Sequence, residues 1–489
     1  MLIDTHAHLH GEEFDTDRAE VLARAREAGV EHIVLIGVDV DDSLKAAGMA
    51  NADPLFYVAA GVHPHEAAKW NDAEAARLRD IVQREPRIVA VGEIGLDYHY
   101  DFAPREKQRE AFLAQLEIAR EARKPVVIHC REAYDDVLAI LRDFHGDPLP
   151  HVTPAVPGSL DEPPPTCPTP GCPHHLSAGI MHCYFGSVEQ AAAFTHLGYA
   201  LGIGGSSTFK KAEELHEVIR QTPIEHLVLE TDAPYMAPVS FRGKRNESAH
   251  LPLIAARIAE LKGMTVDDVV RVTRHNALAM FQLHDDEPPA IAYVIRNSLY
   301  INLTNRCSAL CVFCDRLGDA SVKGHNLRMH KEPEAAEVIA AIEAQGGAAK
   351  FDEVVFCGYG EPTLRLPVLL EVARWLKGPG GARRVRLNTN GHSDLINQHA
   401  TLPEMEGLID AASISLNAPD EATYNWIVRP FDRKRAFGAV VDFIRAAPRH
   451  IPDVTATAVG IPGLDVPATE ALARELGVSF RLRIFNDVG

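Results

Sequence analysis

No uninterrupted apolar run in this 489-residue chain approaches the ~20 residues needed to cross a bilayer, which argues against a membrane span or a membrane partner. The start of the chain lacks a basic segment followed by an apolar stretch, so no secretory signal is expected. Positive charge is in deficit: 49 Lys and Arg against 68 Asp and Glu give a formal net charge of -19. This argues against a broadly basic nucleic-acid surface, and any phosphate-bearing substrate must be held by local cations or metals. Cysteine is sparse, eight in all, and three of the eight crowd one short stretch. That distribution fits metal binding in a reducing cytoplasm better than a disulfide framework.

A hydrophobic content of 46% and a charged content of 24% are those of a globular protein. The length exceeds one ordinary core and suggests two domains. From Met1 to about Leu283, short apolar runs alternate with amphipathic helical stretches. Eight runs are legible: Leu2–His6, His32–Gly37, Phe56–Gly61, Ile88–Glu93, Pro125–His129, Gly179–His182, Tyr199–Ile203 and Leu227–Asp232. The clearest helical patterns between them are Asp17–Ala28, Arg105–Ala122 and Glu132–Phe144. Eight β-then-α units predict an α/β fold closed into a (β/α)8 TIM barrel with right-handed crossovers.

The ends of these runs carry the chemistry. The first ends in His6 and His8, which share a face, with Asp4 behind them. The third leads into His63 and His65, the fourth ends in Glu93, the fifth in His129, the sixth in His182 and the eighth in Asp232. In such a barrel the C-terminal strand ends meet at one mouth. Buried polar residues placed by chance would scatter along the strands and each need its own partner. Several histidines with two carboxylates suit zinc or manganese better than calcium. The donor supply exceeds one tetrahedral site and fits two ions ~3.5–4 Å apart with Glu93 between them, an arrangement suited to phosphoester displacement. After the eighth run comes the cationic loop Arg242-Gly243-Lys244-Arg245-Asn246, where barrels often hold phosphate.

Residues 1–283 resemble the TatD family of metal-dependent deoxyribonucleases. The resemblance is carried by Asp4-Thr5-His6-Ala7-His8, Gly61-Val62-His63-Pro64-His65, Gly92-Glu93-Ile94-Gly95-Leu96-Asp97-Tyr98 and Ile128-His129-Cys130-Arg131-Glu132-Ala133. Thr208-Phe209-Lys210, Glu230-Thr231-Asp232-Ala233-Pro234-Tyr235 and Arg242-Gly243-Lys244-Arg245-Asn246-Glu247 complete it. It implies one divalent ion (Zn, Mn or Mg) on His6, His8, Glu93 and Asp232 and a second on Glu93, His129 and His182. Asp232 would also activate water, and His63, Arg131, Arg242, Lys244 and Arg245 would face the phosphate of a nucleic-acid substrate. A neighbouring reading is an amidohydrolase acting on C–N bonds, which often bridges its metals with a carboxylated lysine on strand four. Here Glu93 ends that strand and Lys124 lies at the wrong end of strand five, so phosphoester hydrolysis is preferred. Two departures stand out: Ser248 where a proline usually follows Asn-Glu, and His182-Cys183-Tyr184-Phe185-Gly186 in place of the more usual Cys-Phe-Ser-Gly.

A Pro-rich insertion, residues 145–177, separates the fifth helix from the sixth strand and includes Cys167, Cys172, His174 and His175. A small zinc knuckle is one reading and a loop that binds nothing is the other, since the tight spacing strains tetrahedral geometry. Lying between a helix and a strand, the insertion is expected at the bottom of the barrel.

Residues 284–291, acidic and Pro-rich, read as a short linker. Beyond it, the apolar run Ala292–Leu303 leads to Cys307, Cys311 and Cys314, with Phe313 just before the third cysteine. C-x3-C-x2-C supplies three thiolates, too few for a closed zinc site but enough for three irons of a four-iron cluster. These residues resemble the radical S-adenosylmethionine (SAM) enzymes. The resemblance implies a partial (β/α)6 barrel over residues 292–489, one 4Fe-4S cluster on the three cysteines, and an open iron that chelates the methionine moiety of SAM. One-electron reduction, from a donor such as flavodoxin or ferredoxin, would then cleave the sulfonium to a 5′-deoxyadenosyl radical.

Later segments fall in the same order. Gly358-Tyr359-Gly360-Glu361-Pro362 matches the family's Gly-Gly-Glu-Pro segment, with Tyr359 inserted. Asn388-Thr389-Asn390-Gly391 follows the next strand, and Ser413, Ser415 and Asn417 are placed to reach the ribose. Phe313, Gly358, Gly360, Glu361, Asn388, Asn390, Ser415 and Asn417 are thus the expected SAM contacts, and Gly460-Ile461-Pro462-Gly463 gives the adenine small residues to lie against. Cys357 is expected to be an ordinary buried thiol. The chain reaches Gly489 without a C-terminal cap, so an open substrate side is expected. The substrate of the radical stays open between nucleotide or RNA modification and glycyl-radical formation on a partner protein, and a third reading makes one half a scaffold for the other.

Overall fold

The computed structural model describes residues 1–145, 178–283, 288–314, 320–461 and 463–484. They form two compact units that divide near residue 285. Among the described residues no helix is long and apolar enough to cross a membrane.

The first unit is a parallel sheet of eight strands in sequential order: β1 Leu2–Ala7, β2 Val30–Ile36, β3 Phe56–Ala60, β4 Ile88–Asp97, β5 Val126–Arg131, β6 Gly179–Met181, β7 Tyr199–Ile203 and β8 Leu227–Leu229. An Ala7–Ala233 bridge brings the last strand back to the first, with His8 N donating to Ala233 O at 2.7 Å and Asp232 N to His6 O at 2.9 Å. Apolar side chains from the eight strands, Ile3, Val34, Ala59, Ala90, Val127, Ile180, Ala200 and Val228 among them, form one buried cluster with Ala277, Leu278, Met280 and Phe281. A filled lumen of this kind makes the barrel a packed core with chemistry only at its mouth. The other strand face packs on the surrounding helices through residues such as Ile33, Leu35, Val58, Ile128 and Leu229. Local signals start the helices. Asn71 caps Asp72–Arg84 by accepting from Ala73 N and Glu74 N, and Ser187 with Gln190 forms a capping box on Val188–His196; a cap of this type contributes about 1 kcal/mol.

Two irregularities bear on the site. The register between β1 and β2 shifts between Asp4 and Ala7, and that between β4 and β5 shifts between Gly92 and Ile94. Such shifts re-aim side chains locally, and these two sit at His6 and at Glu93. The expected strand four, Ile88–Glu93, runs on to Asp97 because it keeps pairing with β5 as far as Arg131.

In the second unit the expected single run Ala292–Leu303 is a hairpin, β9 Ala292–Ile295 and β10 Ser298–Ile301, paired antiparallel. Arg296 turns it with φ +54, a conformation that glycine or asparagine usually supplies, and Asn297 completes the two-residue turn. A short ribbon, β11 Ser321–Val322 with β12 His325–Asn326, follows. Then come β13 Glu353–Phe356, β14 Val385–Thr389, β15 Ala411–Ser415, β16 Asp453–Gly460 and β17 Ser479–Ile484. The sheet order is β17-β16-β15-β14-β13-β10-β9, parallel from β10 to β17. Six parallel strands thus agree with the expected count, and β9 adds an antiparallel edge. One face of the sheet packs on helices through a large apolar cluster. The other, the lumen face, gathers Tyr293, Tyr300 and Val355 with Val322 and Leu327 of the ribbon region.

Candidate active sites

At the mouth of the first barrel, Nε2 of His6 lies 3.3 Å from Glu93 Oε2 and 3.7 Å from Asp232 Oδ1. His8 Nε2 is 3.6 Å from the same Asp232 oxygen. On the far side of Glu93, its Oε1 lies 2.9 Å from His129 Nδ1, 3.7 Å from His63 Nε2 and 3.8 Å from His182 Nε2. Among the described residues four sets of donor atoms fall within 4.8 Å of one another: His6–His8–Asp232, His6–Glu93–His182, His63–His65–His129 and His182–Cys183–Glu230. Glu93 stands between the two sides.

The fit to divalent ions can be tested on His6. Its side chain is fully buried, yet neither ring nitrogen has a hydrogen-bond partner. Buried polar atoms are almost always satisfied, so an orphaned imidazole between two carboxylates fits a metal ligand. The field agrees. Burial alone would raise Glu93, but His6, His182 and His63 hold its carboxyl well below the usual carboxylate range. Burial alone would lower His182, but Glu230, Glu93 and Asp232 push it up to about 10. The carboxylates therefore stabilise positive charge strongly at this point, and a divalent cation supplies that charge without a proton.

Most donors are fixed by partners that strand-end reasoning missed. His8 is oriented by Nδ1 against Ile36 O at 3.1 Å, leaving Nε2 for the site. Asp97 Oδ2 lies 2.9 Å from both His129 Nε2 and His65 Nε2, while its Oδ1 accepts from His99 N and Tyr100 N. Burial would raise Asp97, but His129 and Tyr100 outweigh it and hold the carboxyl far below its ordinary value. Fully buried Glu230 lies 3.1 Å from His182 Nδ1 and accepts from Cys183 N at 2.6 Å. Carboxylate–histidine pairs of this kind set ring orientation and basicity at metal sites. Both acids lie within the segments that carry the family resemblance, but spacing alone gives no sign of which ring they face.

Asp4, also buried, accepts from Thr231 N, from Thr231 Oγ1 and from Ser248 Oγ, the hydroxyls at 2.6 Å. Ser248, the departure from the usual proline, thus has a partner: it ties the start of the chain to the segment after β8. Asp232 sits at φ +56, held by its own N–H to His6 O.

The expected phosphate-facing cations divide. Arg242 and Lys244 are exposed and lie over Phe209 and Phe241. Arg245 is instead committed inside the fold, donating to Glu13 O and Asp17 Oδ2 at 2.6 Å each, with its guanidinium over Phe14. Exposed Arg131 lies 4.6 Å over Tyr100. Tyr100 and Phe102, 48% and 67% exposed, stack at 5.3 Å and both meet the edge of His65. Nothing in the spacing of the sequence pointed to that aromatic pair. Lys124 donates to Ile88 O at the lower end of β5, away from the mouth. The insertion's Cys167, Cys172, His174 and His175 lie outside the described residues.

In the second unit Cys307, Cys311 and Cys314 share the loop after β10, each half-buried. Backbone bonds anchor this loop: Leu310 N to Arg429 O, Val312 N to Ile427 O and Phe431 N to Ser308 O. Phe313 packs on the helix-side core. Asn390 Nδ2 lies 3.7 Å from Cys307 Sγ and 2.8 Å from Ser308 Oγ, and Ser308 continues to His392 Nδ1 and so to Tyr424. An amide donor on a thiol sulfur, beside three cysteines on one anchored loop, fits an iron–sulfur ligand set.

The expected SAM contacts also divide. Asn388 keeps a buried Oδ1 without a partner, and Ser415 is half-buried at the end of β15. Asn417 sits at φ +58 with Oδ1 accepting from Val459 N. Glu361, by contrast, is only 2% exposed. Its Oε1 accepts from Thr363 and Thr389, and its Oε2 from Asn390 N. The carboxylate locks β13 to β14. A side chain at Gly360 would collide with Thr304 O and Arg306 O, so this glycine lets its strand end approach the cysteine loop. A Cβ at Gly358 would meet Asn302 in the same way. Cys357, expected buried, is half-buried on the lumen face beside Tyr293 and Tyr359, just past the end of β13. Pro462 lies outside the described residues.

Comparison with known proteins agrees with this geometry. The family described as TatD related DNase matches residues 3–282, and the Radical SAM superfamily matches residues 301–476. The uncharacterized metal-dependent hydrolase YabD of Bacillus subtilis (strain 168) is 36% identical over 284 residues, which cover 58% of this chain and 100% of that protein. The 3'-5' ssDNA/RNA exonuclease TatD of Rahnella sp. (strain Y9602) is 33% identical over 282 residues, covering 56% of this chain and 96% of that one. Among solved structures, YJJV, a TatD homolog from Escherichia coli k12, gives a TM-score of 0.50 at 28% identity, over 58% of this chain and 98% of that one.

Proposed function

We propose that this chain, which belongs to the TatD-related DNase family through residues 3–282 and carries a radical SAM domain over residues 301–476, is a bifunctional enzyme with two independent centres. The first unit is a metal-dependent hydrolase, and its proposed substrate is the phosphodiester backbone near the end of a DNA or RNA strand. Two divalent ions, zinc, manganese or magnesium, would be held by His6, His8, Glu93 and Asp232 and by Glu93, His129 and His182, and would supply Lewis acidity to the attacking and leaving oxygens. Asp232 is the carboxylate placed to take the proton from water, since its side chain is 15% exposed where that of Glu93 is 4% exposed. Glu230 and Asp97 hold His182 and His129 in register.

Arg131, Arg242 and Lys244 are the cations left to meet phosphate, with His63 at the mouth; Arg245 supports the loop instead. The exposed Tyr100–Phe102 stack beside His65 suits an unpaired base, and stacking of this kind contributes about 1–3 kcal/mol per base.

The second unit is proposed to hold one 4Fe-4S cluster on Cys307, Cys311 and Cys314 and to bind SAM along Asn388, Asn390, Ser415 and Asn417. The cluster, reduced by a flavodoxin- or ferredoxin-like donor, would supply the electron for reductive cleavage of SAM. Asn390 steadies Cys307 and its neighbour Ser308, while Glu361 and Gly360 keep the strand ends close to the loop.

The observation that carries the first reading is the orphaned, buried His6 between Glu93 and Asp232. Glu93→Ala and Asp232→Asn should each abolish metal-dependent cleavage of single-stranded DNA; full activity in either variant would refute the assignment.

A further inference from the structure

The lumen of the second unit carries charge that the cofactor residues do not use. Side chains two apart on a strand share a face. Arg386 therefore lies one step below Asn388 on β14, Ser413 below Ser415 on β15, and Arg481 below Arg483 on β17. A cavity of about 430 Å³ is lined by Glu353, Arg384, Arg386, Ser413, Thr455 and Arg481, among others. Ser413 is in register with Asn388, and Arg481 with Thr457 and so with Ser415.

The charges in this cavity do not balance. Glu353 pairs with Arg386 at 2.6 Å, and Asp453 pairs with Arg384. That leaves Arg481 in the lining, with Arg483 one step above it on β17 and outside the lining; neither side chain has a hydrogen bond or ion pair among the described residues. Arg386 in addition keeps a buried Nε without a partner. Burial first, then Arg386 and Arg483, hold Arg481 below its ordinary value against the opposing pull of Tyr300 and Glu353. Like charges gathered in a partly enclosed space repel. Guanidinium forks match planar or tetrahedral oxyanions in a bidentate way, which offsets that repulsion.

We propose that this lumen binds a dianionic oxyanion group, a phosphate monoester or a pair of carboxylates, carried by the molecule on which the radical domain acts. Arg481 supplies the uncompensated charge of the lining, Arg483 adds its charge from one step above, and Arg386 supplies the buried donor. The dianion would anchor one end of the substrate in this cavity while its other end reaches Asn388 and Ser415. This inference rests on the radical SAM reading for the word substrate; the binding itself does not.

The test is calorimetric titration of the anaerobically purified full chain with inorganic phosphate, malonate and acetate at constant ionic strength. The comparison is the double variant Arg481→Gln/Arg483→Gln, whose arginines have no described partner to lose; circular dichroism checks its fold. The wild-type protein should bind phosphate or malonate at a site that the double variant weakens at least tenfold, and acetate should bind at least tenfold more weakly than the better dianion. The preference between phosphate and malonate identifies which dianion the site was built for. Equal titrations of wild type and double variant, or acetate matching the dianions, would overturn the proposal. Differential dianion binding in a protein that never cleaves SAM would overturn the radical reading and leave the anion site standing. Cleavage without differential binding would do the reverse.

Discussion

In the first unit the proposed donors come from five strands spread between His6 and Asp232, whereas in the second the three thiols fall within Cys307–Cys314. The barrel centre is assembled by closure: a ring of strand ends brings distant residues together, and carboxylates such as Asp97 and Glu230 then lock the imidazoles. The cysteine loop has its donors next to one another in the chain and needs the fold only to pin it, through Ile427, Arg429 and Phe431. A distributed centre should therefore be sensitive to remote packing and orienting residues. A local one should be sensitive mainly to its own three side chains.

The largest effects should separate the two centres cleanly. Glu93→Ala is expected to reduce metal-dependent nuclease turnover by about 10³-fold or more, since it removes a bridging ligand, while leaving 5′-deoxyadenosine formation intact. Cys311→Ala should do the opposite, abolishing iron incorporation and SAM cleavage with nuclease rates unchanged. If either variant impairs both activities alike, the centres are not independent.

The next effect sharpens the contrast in construction. Asp97→Asn and Glu230→Gln keep size but remove the charge that orients His129 and His182, and each should cost about 10–100-fold in metal affinity or nuclease rate. Metal titration separates this from simple unfolding. Tyr100→Ala should weaken binding of single-stranded oligonucleotides by about 1–3 kcal/mol while sparing hydrolysis of a small phosphodiester; equal losses on both would remove the aromatic pair from base recognition.

The contrast also shows what a sequence reveals. The strand ends of the first unit were legible because buried runs recur with polar residues at one end, and His6, His63, Glu93, His182 and Asp232 do meet. The register shifts at Asp4–Ala7 and Gly92–Ile94, which aim two of them, were not legible, because a bulge depends on the neighbouring strand and not on its own residues. Arg245 looked like a phosphate ligand because a charged loop does not show that Asp17 waits across the chain. The four donors that surround Glu361 were not legible either, because its motif does not show Thr389 and Asn390 reaching it from the next strand. The hairpin at Arg296-Asn297 was missed because its two polar residues interrupt the apolar run only briefly and no glycine marks the turn.

Smaller effects test the structural ties. Ser248→Ala should destabilise the first unit by about 1–3 kcal/mol, because Asp4 is buried and would lose a hydroxyl donor; denaturant unfolding measures it. In the second unit, hydrogen bonding to Arg306, against a smaller opposing effect of burial, and contacts with Thr304 and Arg365 bring Glu332 down from 4.5 to about 2. A lowered carboxyl stabilises the fold above its unfolded value and loses that contribution as pH falls toward its folded one. Glu332→Gln should therefore flatten the loss of stability between about pH 4.5 and pH 2, as read by unfolding midpoints across that window.

The most direct test of two separate centres is elemental analysis of the anaerobically purified full chain, with Glu93→Ala and Cys311→Ala in parallel. The account predicts about two divalent ions and about four irons with four sulfides per wild-type chain. It predicts loss of divalent ions alone in Glu93→Ala and loss of iron and sulfide alone in Cys311→Ala. A wild-type chain that takes up no iron and sulfide on reconstitution, or a Glu93→Ala chain that keeps its full divalent content, would contradict it.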